Sequence, residues 1–334
     1  MTICCYAAKE PQGQLQSFQY EPEPLGSHEV EVKITHCGIC HSDIHLIDND
    51  WSISDYPLVP GHEIVGTVES FGPEVAGFAH GQRVGIGWQR SACLECDYCI
   101  RGLENLCPKM KATCVGHHGG FAEKIRIDSR FAFPIPDKLD SEAAAPLLCG
   151  GVTVYSALVN HDVKPGMKVG VIGIGGLGHF ALQFARAMGC EVTAFSSTQA
   201  KEAEARELGA RHFIADTDSK TLEQVACTQD FILSTVNANL NWSTYVDALR
   251  PGGKLCFVGV PDEPIAIPAF SLIVGRTSIS GSPIGSRTDI RHMLEFAALH
   301  DIKAWTESMP MSNVNGGIEA VRNNQARYRV VLKN

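Results

Sequence analysis

Two different hydrophobic patterns divide the chain. Up to about residue 150, short apolar or alternating runs, such as residues 30–34 and 64–68, are separated by glycine and proline. This pattern is typical of β-strands joined by tight turns. From about residue 165, a buried-strand pattern at 168–172 is followed by a glycine-rich turn and an apolar-periodic helix over 177–188. Alternation of strands and helices indicates a parallel sheet with helices on both faces.

The alternation of strands and helices continues after residue 190, and where it stops indicates the domain limits. Further strands are predicted at 191–195, 231–235, 254–258 and 277–280, with a helix over about 199–208 and a closing strand at 328–332. A chain of 334 residues is too long for one ordinary core. We therefore expect a mostly-β domain formed by residues 1–149 and 287–334. Residues 150–286 are expected to form an α/β domain with a doubly wound parallel sheet.

Net charge and cysteine content restrict the classes of binding partner and indicate the cellular compartment. A formal net charge of -9 disfavours nucleic acid and anionic membranes as partners. We expect no membrane span, because no apolar run approaches the ~20 residues that a span needs. The first six residues lack the basic region and apolar stretch of a signal peptide. Thirteen cysteines, an odd number, then favour metal-bound thiols in a reducing cytoplasm over disulfides.

The most informative cluster is a run of four cysteines in the pattern C-x2-C-x2-C-x7-C. Its members are Cys93, Cys96, Cys99 and Cys107. Four thiolates so close in sequence can surround one tetrahedral ion, and zinc is the usual occupant. A coincidental cluster and a disulfide pair are the alternatives, and the spacing and the overall composition count against them. We therefore predict a zinc site with four sulfur ligands.

A glycine motif of the G-x-G-x-x-G type follows the first strand of the α/β region. Its candidate cofactor-binding residues are Gly173, Gly175, Gly176, Leu177 and Gly178. Between a strand and a helix, such glycines let the backbone approach a pyrophosphate at the helix N-terminus. A purely structural glycine turn is the alternative.

The next strand predicts which dinucleotide is bound. An NAD site usually has Asp or Glu at the end of this strand to bind the ribose 2′-hydroxyl. Here the strand is followed by Ser196 and Ser197, with Lys201 after them. Hydroxyls and a lysine suit a 2′-phosphate, which an acid would repel. The sequence therefore predicts NADPH over NADH, although a plain polar turn would read the same way.

Three further motifs carry a family resemblance. They are G-I-C-H-S-D at residues 38–43, G-H-E at 61–63 and L-L-C-G-G at 147–151. With the four-cysteine and glycine motifs, they stand in the order found in the zinc-dependent, medium-chain alcohol dehydrogenases. The chain resembles that family over essentially its full length, and within it the cinnamyl-alcohol-dehydrogenase group, especially the bacterial NADPH-dependent aldehyde reductases. The resemblance implies a mostly-β GroES-like catalytic domain, a Rossmann-type cofactor domain, and a homodimer joined near residues 277–283.

The resemblance also implies a catalytic zinc held by Cys40, His62 and Cys149. Three protein ligands leave the fourth coordination position of the zinc ion open for substrate. There the zinc ion can act as a Lewis acid and polarise an aldehyde oxygen. Glu63 stays near the metal in relatives and can act as an alternative ligand, and Asp43 is expected to orient His62. A structural role is the alternative for both acids. The four-cysteine group is then a structural zinc site, which makes two zinc ions per subunit.

Two side chains are implied in proton transfer. Ser42 can hydrogen-bond the substrate oxygen, and in relatives a path runs from this hydroxyl to a histidine at the position of His45. Imidazole titrates near neutrality, with an unperturbed pKa of about 6.5, and suits such a path. A solvated surface histidine is the alternative reading of His45.

Five more residues match positions near the cofactor or substrate in relatives. Thr153 corresponds to a position near the nicotinamide, and His41 replaces an arginine near the pyrophosphate. Arg329 matches an arginine near the cofactor, with a surface salt bridge as the alternative. Trp51 and Trp88 fall where relatives have walls of the substrate pocket, with a core role as the alternative. Aromatic walls favour aromatic or medium-chain aldehydes.

The sequence therefore predicts a zinc-dependent oxidoreductase that reduces aldehydes to primary alcohols, reversibly, with NADPH. A polyol or sugar-alcohol dehydrogenase of the same superfamily is a second hypothesis, which the Ser196–Ser197 pair and the two tryptophans disfavour. A non-catalytic NADPH-binding protein is a third, which the intact ligands and Ser42 disfavour.

Overall fold

The computed structural model describes residues 2–215 and 219–334, and of residues 219 and 220 it describes the backbone. The chain forms two compact units. Unit 1 comprises Met1–Val152 and Ser286–Asn334, and unit 2 comprises Thr153–Gly285. These units differ from the expected limits at 149 and 287 by residues 150–152 and Ser286, which belong to unit 1. The helical stretch that carries Cys149 runs past residue 149, and unit 2 begins within it, at Thr153.

The first segment of the chain is built mostly from strands, as predicted. Its strands are β1 Ile3–Ala7, β2 Gln16–Tyr20, β3 Glu29–Ile39, β4 Glu63–Phe71, β5 Arg83–Ile86, β6 Gln89–Ser91, β7 Lys111–Ala112, β8 Lys124–Asp128 and β9 Ala132–Pro134. Its helices are α1 His41–Asp48, α2 Asp97–Ile100 and α3 Ser141–Pro146, with a π-helical turn at Leu147–Gly151 and α4 at Val152–Asn160.

Unit 2 alternates strands and helices. The strands are β10 Lys168–Ile172, β11 Glu191–Phe195, β12 His212–Ile214, β13 Gln229–Ser234, β14 Leu249–Phe257 and β15 Ser278–Gly281. The helices are α5 Gly178–Ala187, α6 Glu202–Glu207, α7 Ser219–Glu223, α8 Trp242–Asp247 and α9 Ala269–Gly275. The strands form one parallel sheet in the order β12-β11-β10-β13-β14-β15. The predicted doubly wound α/β domain is therefore confirmed.

The last segment returns to unit 1, as the hydrophobic pattern suggested. It contains α10 Arg287–His300, β16 Thr306–Pro310, α11 Val314–Arg322 and β17 Arg329–Lys333. β17 and β4 pair antiparallel with β3, on opposite sides of it. The full sheet has the order β16-β17-β3-β4-β5-β9, with β8 also paired to β3. β3 is therefore central, and its carboxyl end leads directly into Cys40.

The hydrophobic pattern of β3 explains its place in the core. Val30, Val32 and Ile34 alternate along the strand and are buried. A period of two turns these side chains to one face of the sheet. The helices and strands of unit 1 pack around them in one large cluster that also contains Ile64, Val84 and Leu332.

The expectation that no apolar stretch is as long as a membrane span is wrong for one helical stretch. The helical stretch Ser141–Asn160 has 20 residues and a mean hydropathy of 1.4, so it could cross a membrane by length and composition alone. However, 78% of its most apolar window is buried inside the protein. Small residues such as Ala143, Ala144 and Ala145 let it pack closely against neighbouring elements. It is therefore a core helix in this structure.

Candidate active site and metal centres

The start of α1 fixes the first candidate ligand. Cys40 precedes the helix in an extended conformation, with φ −109° and ψ 156°. Its backbone N–H donates to Oδ2 of Asp43, three residues later, at 2.9 Å. An acid at this position commonly satisfies a free N–H group at a helix start. The local sequence therefore sets the direction of the Cys40 side chain.

The same carboxylate fixes the second candidate ligand. Oδ1 of Asp43 accepts from the backbone N–H of Gly61 at 2.9 Å and lies 3.0 Å from Nδ1 of His62. Asp43 and His62 are both completely buried. Because a carboxylate next to Nδ1 favours the tautomer with hydrogen on that nitrogen, Nε2 is left as the metal-binding atom. Asp43 thus orients His62, as the sequence suggested.

The third candidate ligand lies in an irregular part of a helix. Cys149 is in the π-helical turn Leu147–Gly151, a feature that is frequent at functional sites. Its Sγ is 3.3 Å from Nε2 of His62. The donor atoms of Cys40, His62, Cys149 and Glu63 all lie within 4.8 Å of one another. Hydrogen bonding with Cys149, followed by the effect of His62, holds the pKa of the Cys40 thiol well below its usual range.

A buried ion pair completes this group. Oε1 of Glu63 pairs with Nη2 of Arg329, and both side chains are buried. Burial raises the pKa of Glu63 to about 7, although Arg329 opposes the rise. Oε2 of Glu63 has no hydrogen-bond partner within the part of the chain that the structure describes. The surface salt bridge considered for Arg329 is therefore wrong, because this pair is inside the protein.

These four side chains suit a zinc ion. Two thiols and one imidazole are preferred zinc ligands, and a buried carboxylate oxygen without a partner is usually compensated by a cation. Cys40, His62 and Cys149 would hold the ion, and they come from three separate segments of unit 1. This set leaves one tetrahedral position for substrate or for Glu63.

The predicted proton-transfer residues lie beside this group. The Ser42 hydroxyl is 3.7 Å from Sγ of Cys40. Nδ1 of His45 is 2.7 Å from Oδ2 of Asp50. Sequence reasoning missed Asp50, although an acid five residues after a histidine at the end of a short helix was a usable signal. The pairing leaves Nε2 of His45 free to exchange protons.

Aromatic rings extend outward from the ligand histidine. Trp88 packs edge-on against His62 with ring centroids 5.0 Å apart, and Trp51 packs edge-on against Trp88 at 6.2 Å. His45 stacks on Trp51 at 5.2 Å. Trp51 is 40% exposed, which disfavours a core role for it. The two tryptophans thus form an apolar wall beside the candidate metal position.

The four-cysteine group forms a second, closed centre. The sulfur of Cys93 is 3.9 Å from that of Cys99 and 3.5 Å from that of Cys107. Tetrahedral zinc with bonds of about 2.3 Å needs sulfur atoms roughly 3.8 Å apart. All thirteen cysteines are free thiols, so the disulfide alternative is wrong. Backbone N–H groups of Glu95 and Cys96 lower the pKa of Cys93 to about 6, which favours a thiolate.

A buried ion pair attaches this cysteine segment to the rest of unit 1. Glu104, between the third and fourth cysteines, is almost fully buried and lies 2.6 Å from Nη2 of Arg287. Arg287 begins α10 and also lies over the ring of Phe131, at 5.4 Å from its centroid. This ion pair therefore anchors the segment in addition to its sulfur atoms.

The glycine motif of unit 2 has the predicted form. It connects β10 to α5, and Gly173 has a φ of +88°, which favours glycine. A side chain at Gly178 would come within 2.0 Å of the carbonyl oxygen of Gly173, whereas one at Gly175 would meet open space. The turn is thus closed by Gly178 and open at Gly175, where a ligand can approach.

The predicted 2′-phosphate residues lie next to this turn. Nζ of Lys201 donates to the carbonyl oxygen of Ile174 at 2.7 Å. Ser196 is buried and its hydroxyl bonds the backbone of Thr198, whereas Ser197 is exposed. Lys201 is therefore held at the turn, whereas the role of the exposed Ser197 hydroxyl toward a cofactor stays a prediction.

The remaining predicted residues are more dispersed. Thr153 begins unit 2 in the first turn of α4, and its carbonyl oxygen accepts from the Ser156 hydroxyl. His41 begins α1 and is exposed, with its ring 6.4 Å from that of His45. Their roles toward a cofactor stay predictions.

Comparison with known proteins agrees with this geometry. Residues 26–137 match the family model "Alcohol dehydrogenase GroES-like domain", and residues 176–298 match "Zinc-binding dehydrogenase". The chain is 46% identical to aldehyde reductase AdhA of Synechocystis sp., over 99% of this chain and 98% of the relative. The chain belongs to the zinc-dependent, medium-chain alcohol dehydrogenases. Within them it falls in the cinnamyl-alcohol-dehydrogenase group.

Two solved structures of this group are similar over the whole chain. A cinnamyl alcohol dehydrogenase of Sorghum bicolor has a TM-score of 0.95 and 37% identity, covering 100% of this chain and 98% of its own. The Helicobacter pylori enzyme in complex with NADP(H) has a TM-score of 0.92 and 30% identity, with the same coverage. The predicted family and fold, including the GroES-like and Rossmann-type domains, are thus confirmed.

The role of Asp43 can be tested through metal affinity. Asp43→Asn removes the negative charge that orients His62, so we expect the affinity of the Cys40–His62–Cys149 centre for zinc to fall about 10- to 100-fold. The four-cysteine centre should be unaffected and serves as an internal control. Chelator competition, followed by counting the zinc ions retained per chain, measures both. Equal zinc retention in Asp43→Asn and the wild type would contradict the proposed orientation.

Proposed function

We propose that this protein is a zinc-dependent oxidoreductase that reduces aldehydes to primary alcohols with NADPH, and that it also catalyses the reverse reaction. The observation that carries the proposal is the convergence of Cys40, His62 and Cys149 around one position, with His62 oriented by Asp43. Similar proteins are named aldehyde reductase and cinnamyl alcohol dehydrogenase, and one was solved with NADP(H). Because both cysteine groups need reduced thiols, we also propose the cytoplasm as its compartment, which cell fractionation would test.

The chain's own residues divide the work of this reaction. When bound, zinc would supply Lewis-acid polarisation of the carbonyl and NADPH would supply hydride. Ser42 is suited to donate a proton to the product oxygen, since its hydroxyl adjoins the ligand Cys40. His45, held by Asp50, is suited to return that proton from solvent. One aldehyde, one NADPH and one proton thus give one alcohol and one NADP+.

The tryptophan wall supports a class of substrate. Trp88 and Trp51 present apolar rings next to His62. Burial of apolar surface contributes roughly 25 cal/mol per Å², so aromatic and medium-chain aldehydes should bind better than hydrated polyols. Polyol oxidation, the second hypothesis, has no such support at this wall.

The direct test follows NADPH oxidation at 340 nm across aromatic, aliphatic and sugar aldehydes. We expect turnover to be highest with aromatic and medium-chain aldehydes, and Cys40→Ser to abolish it because the centre loses a sulfur ligand. Cys96→Ser, which alters only the four-cysteine group, should lower stability more than chemistry. NADPH binding without turnover of any aldehyde would instead favour the non-catalytic hypothesis.

The proton path predicts a graded loss of activity. Ser42→Ala should lower kcat by about 10²-fold or more, because it removes the nearest donor to the product oxygen. His45→Gln should cost less, about tenfold, because water can replace a group nearer the surface. Zinc content should be unchanged in both variants. An unaltered kcat in Ser42→Ala would refute the path.

Cofactor choice is proposed to depend on Lys201 and Ser197. Lys201→Ala should raise KM for NADPH about tenfold and leave KM for NADH unchanged, since only NADPH carries the 2′-phosphate. Ser197→Asp should shift the preference further toward NADH. Lys164→Ala provides a control, because Lys164 is an exposed lysine of the same unit. A tenfold or greater preference of the wild type for NADH would overturn the assignment.

We propose a homodimer formed through unit 2. β15 is an edge strand of the parallel sheet, and α9 next to it exposes Phe270, Ile273 and Val274 by about 70% each. Exposed apolar side chains beside an unpaired strand edge suit a second copy of the chain. Ile273→Glu should therefore give monomers in sedimentation velocity, while Ile100→Glu, at an equally exposed position of unit 1, should not. A monomeric wild type at micromolar concentration would contradict the dimer.

A further inference from the structure

A glycine lies beneath the ion pair of the candidate metal centre. Gly38 is opposite Glu63 on β4 and opposite Val331 on β17, so both neighbours of the central strand meet at this position. Directly opposite residues share a face of the sheet, and so do residues two apart. Cys40, two residues after Gly38, and Arg329, two before Val331, therefore lie on the same face as Glu63.

This register explains how Glu63 reaches Arg329. The two residues are on strands that flank β3, so they are separated by two strand spacings of about 4.8 Å each. Their side chains must meet above β3. Position 38 is the point on β3 that lies opposite Glu63, and it carries no side chain. The ion pair crosses the central strand over this glycine.

The atoms nearest to the space above Gly38 belong to Glu63. A Cβ atom at position 38 would lie 2.1 Å from Oε2, 3.0 Å from Cβ and 3.1 Å from Cδ of Glu63, and these are its three nearest atoms. Gly38 is not among the glycines with positive φ, so its backbone conformation accepts alanine. The obstacle to a side chain at this position is therefore the glutamate, not the strand.

The carboxylate has two possible cationic partners. Oε1 pairs with Arg329, while Oε2 lacks a hydrogen-bond partner among the residues with described side chains. The same carboxylate belongs to the group of donor atoms within 4.8 Å of one another that includes Cys40, His62 and Cys149. A buried carboxylate needs a compensating charge. If it lost Arg329, an ion held by those three ligands would be a cation within reach.

We propose that Gly38 is a positioning residue for the metal centre. Its missing side chain opens the route by which Glu63 reaches Arg329, and this keeps the carboxylate from occupying the fourth metal position. The proposal rests on the metal centre of the proposed function. A methyl group at position 38 would break the ion pair, turn Glu63 into a fourth ligand and close the centre to substrate.

The test uses protein substituted with cobalt(II), whose visible spectrum reports the ligands, and imidazole alone as a probe of the open position. In Gly38→Ala we expect a changed d–d spectrum and at least tenfold weaker imidazole binding than in the wild type. The four-sulfur centre would also take up cobalt, but its contribution should be the same in both proteins and cancel in the difference spectrum. An unchanged spectrum and imidazole affinity would overturn the proposal.

The matched control is the double variant Gly38→Ala with Glu63→Gln, compared with Glu63→Gln alone. Glutamine has the shape of glutamate, so any steric disturbance from the methyl group persists, but a neutral amide is a poor zinc ligand. We expect the double variant to bind imidazole as Glu63→Gln does. A double variant as impaired as Gly38→Ala would show that the effect does not pass through the carboxylate, and would overturn the proposal.

A second route leaves position 38 unchanged. Arg329→Met removes the partner of Glu63 and should produce the same spectral change and the same loss of imidazole binding as Gly38→Ala. If Gly38→Ala fails to fold, Arg329→Met alone tests the proposal. A cobalt spectrum and imidazole affinity of Arg329→Met equal to those of the wild type would overturn it. A wild type whose cobalt centre forms but which reduces no aldehyde would refute only the proposed function.

Discussion

The buried carboxylate of Asp43 is the interaction on which the candidate active site depends. It is completely buried and is bonded to the N–H groups of Cys40 and Gly61 and to Nδ1 of His62. A buried charge is costly unless hydrogen bonds compensate it, and here three donors do so. These donors belong to two segments of chain, the start of α1 and the turn before β4. The carboxylate therefore sets two metal ligands relative to each other through the fold itself.

The second buried carboxylate of this region is arranged differently. Asp43 uses both oxygens, whereas Glu63 has one oxygen in an ion pair and the other without a hydrogen-bond partner among the described residues. A fully bonded carboxylate holds its neighbours in place, while one with an unbonded oxygen keeps lone pairs that a metal ion could accept. Asp43 is therefore suited to hold His62 in a fixed orientation, and Glu63 is suited to respond to a bound metal ion.

The sequence predicts correctly those strands and contacts whose residues are close together along the chain. β10 and β11 begin and end where their apolar runs do, because parallel strands are buried on both faces. The four-cysteine group and the Cys40–Asp43 contact are also local. The Glu63–Arg329 pair joins residues 266 positions apart, and it depends on the register of β17 against β3. The sequence does not show that β17 pairs with β3, so only the resemblance drew attention to Arg329.

Two other features escaped sequence reasoning for related reasons. No helix was predicted over 141–160, because Pro146 and the two glycines at 150–151 interrupt the apolar pattern there, although the π-helical turn continues the helix. Gly38 was noticed only as part of a motif. Its importance depends on which residue lies opposite, and cross-strand pairing is a property of the folded sheet.

The two metal centres differ in how much of the fold each one needs. The four cysteines lie within a segment in which Cys93 and Cys107 are 14 residues apart, so forming that centre closes only a short loop at small entropic cost. His62 and Cys149 are 87 residues apart, and their approach requires the sheet, the π-helical turn and the buried Asp43 to be in place. The four-sulfur centre can therefore form with its own segment, whereas the three-ligand centre exists only when unit 1 is folded. This difference fits a closed centre that stabilises a segment and an open one whose geometry the whole unit enforces.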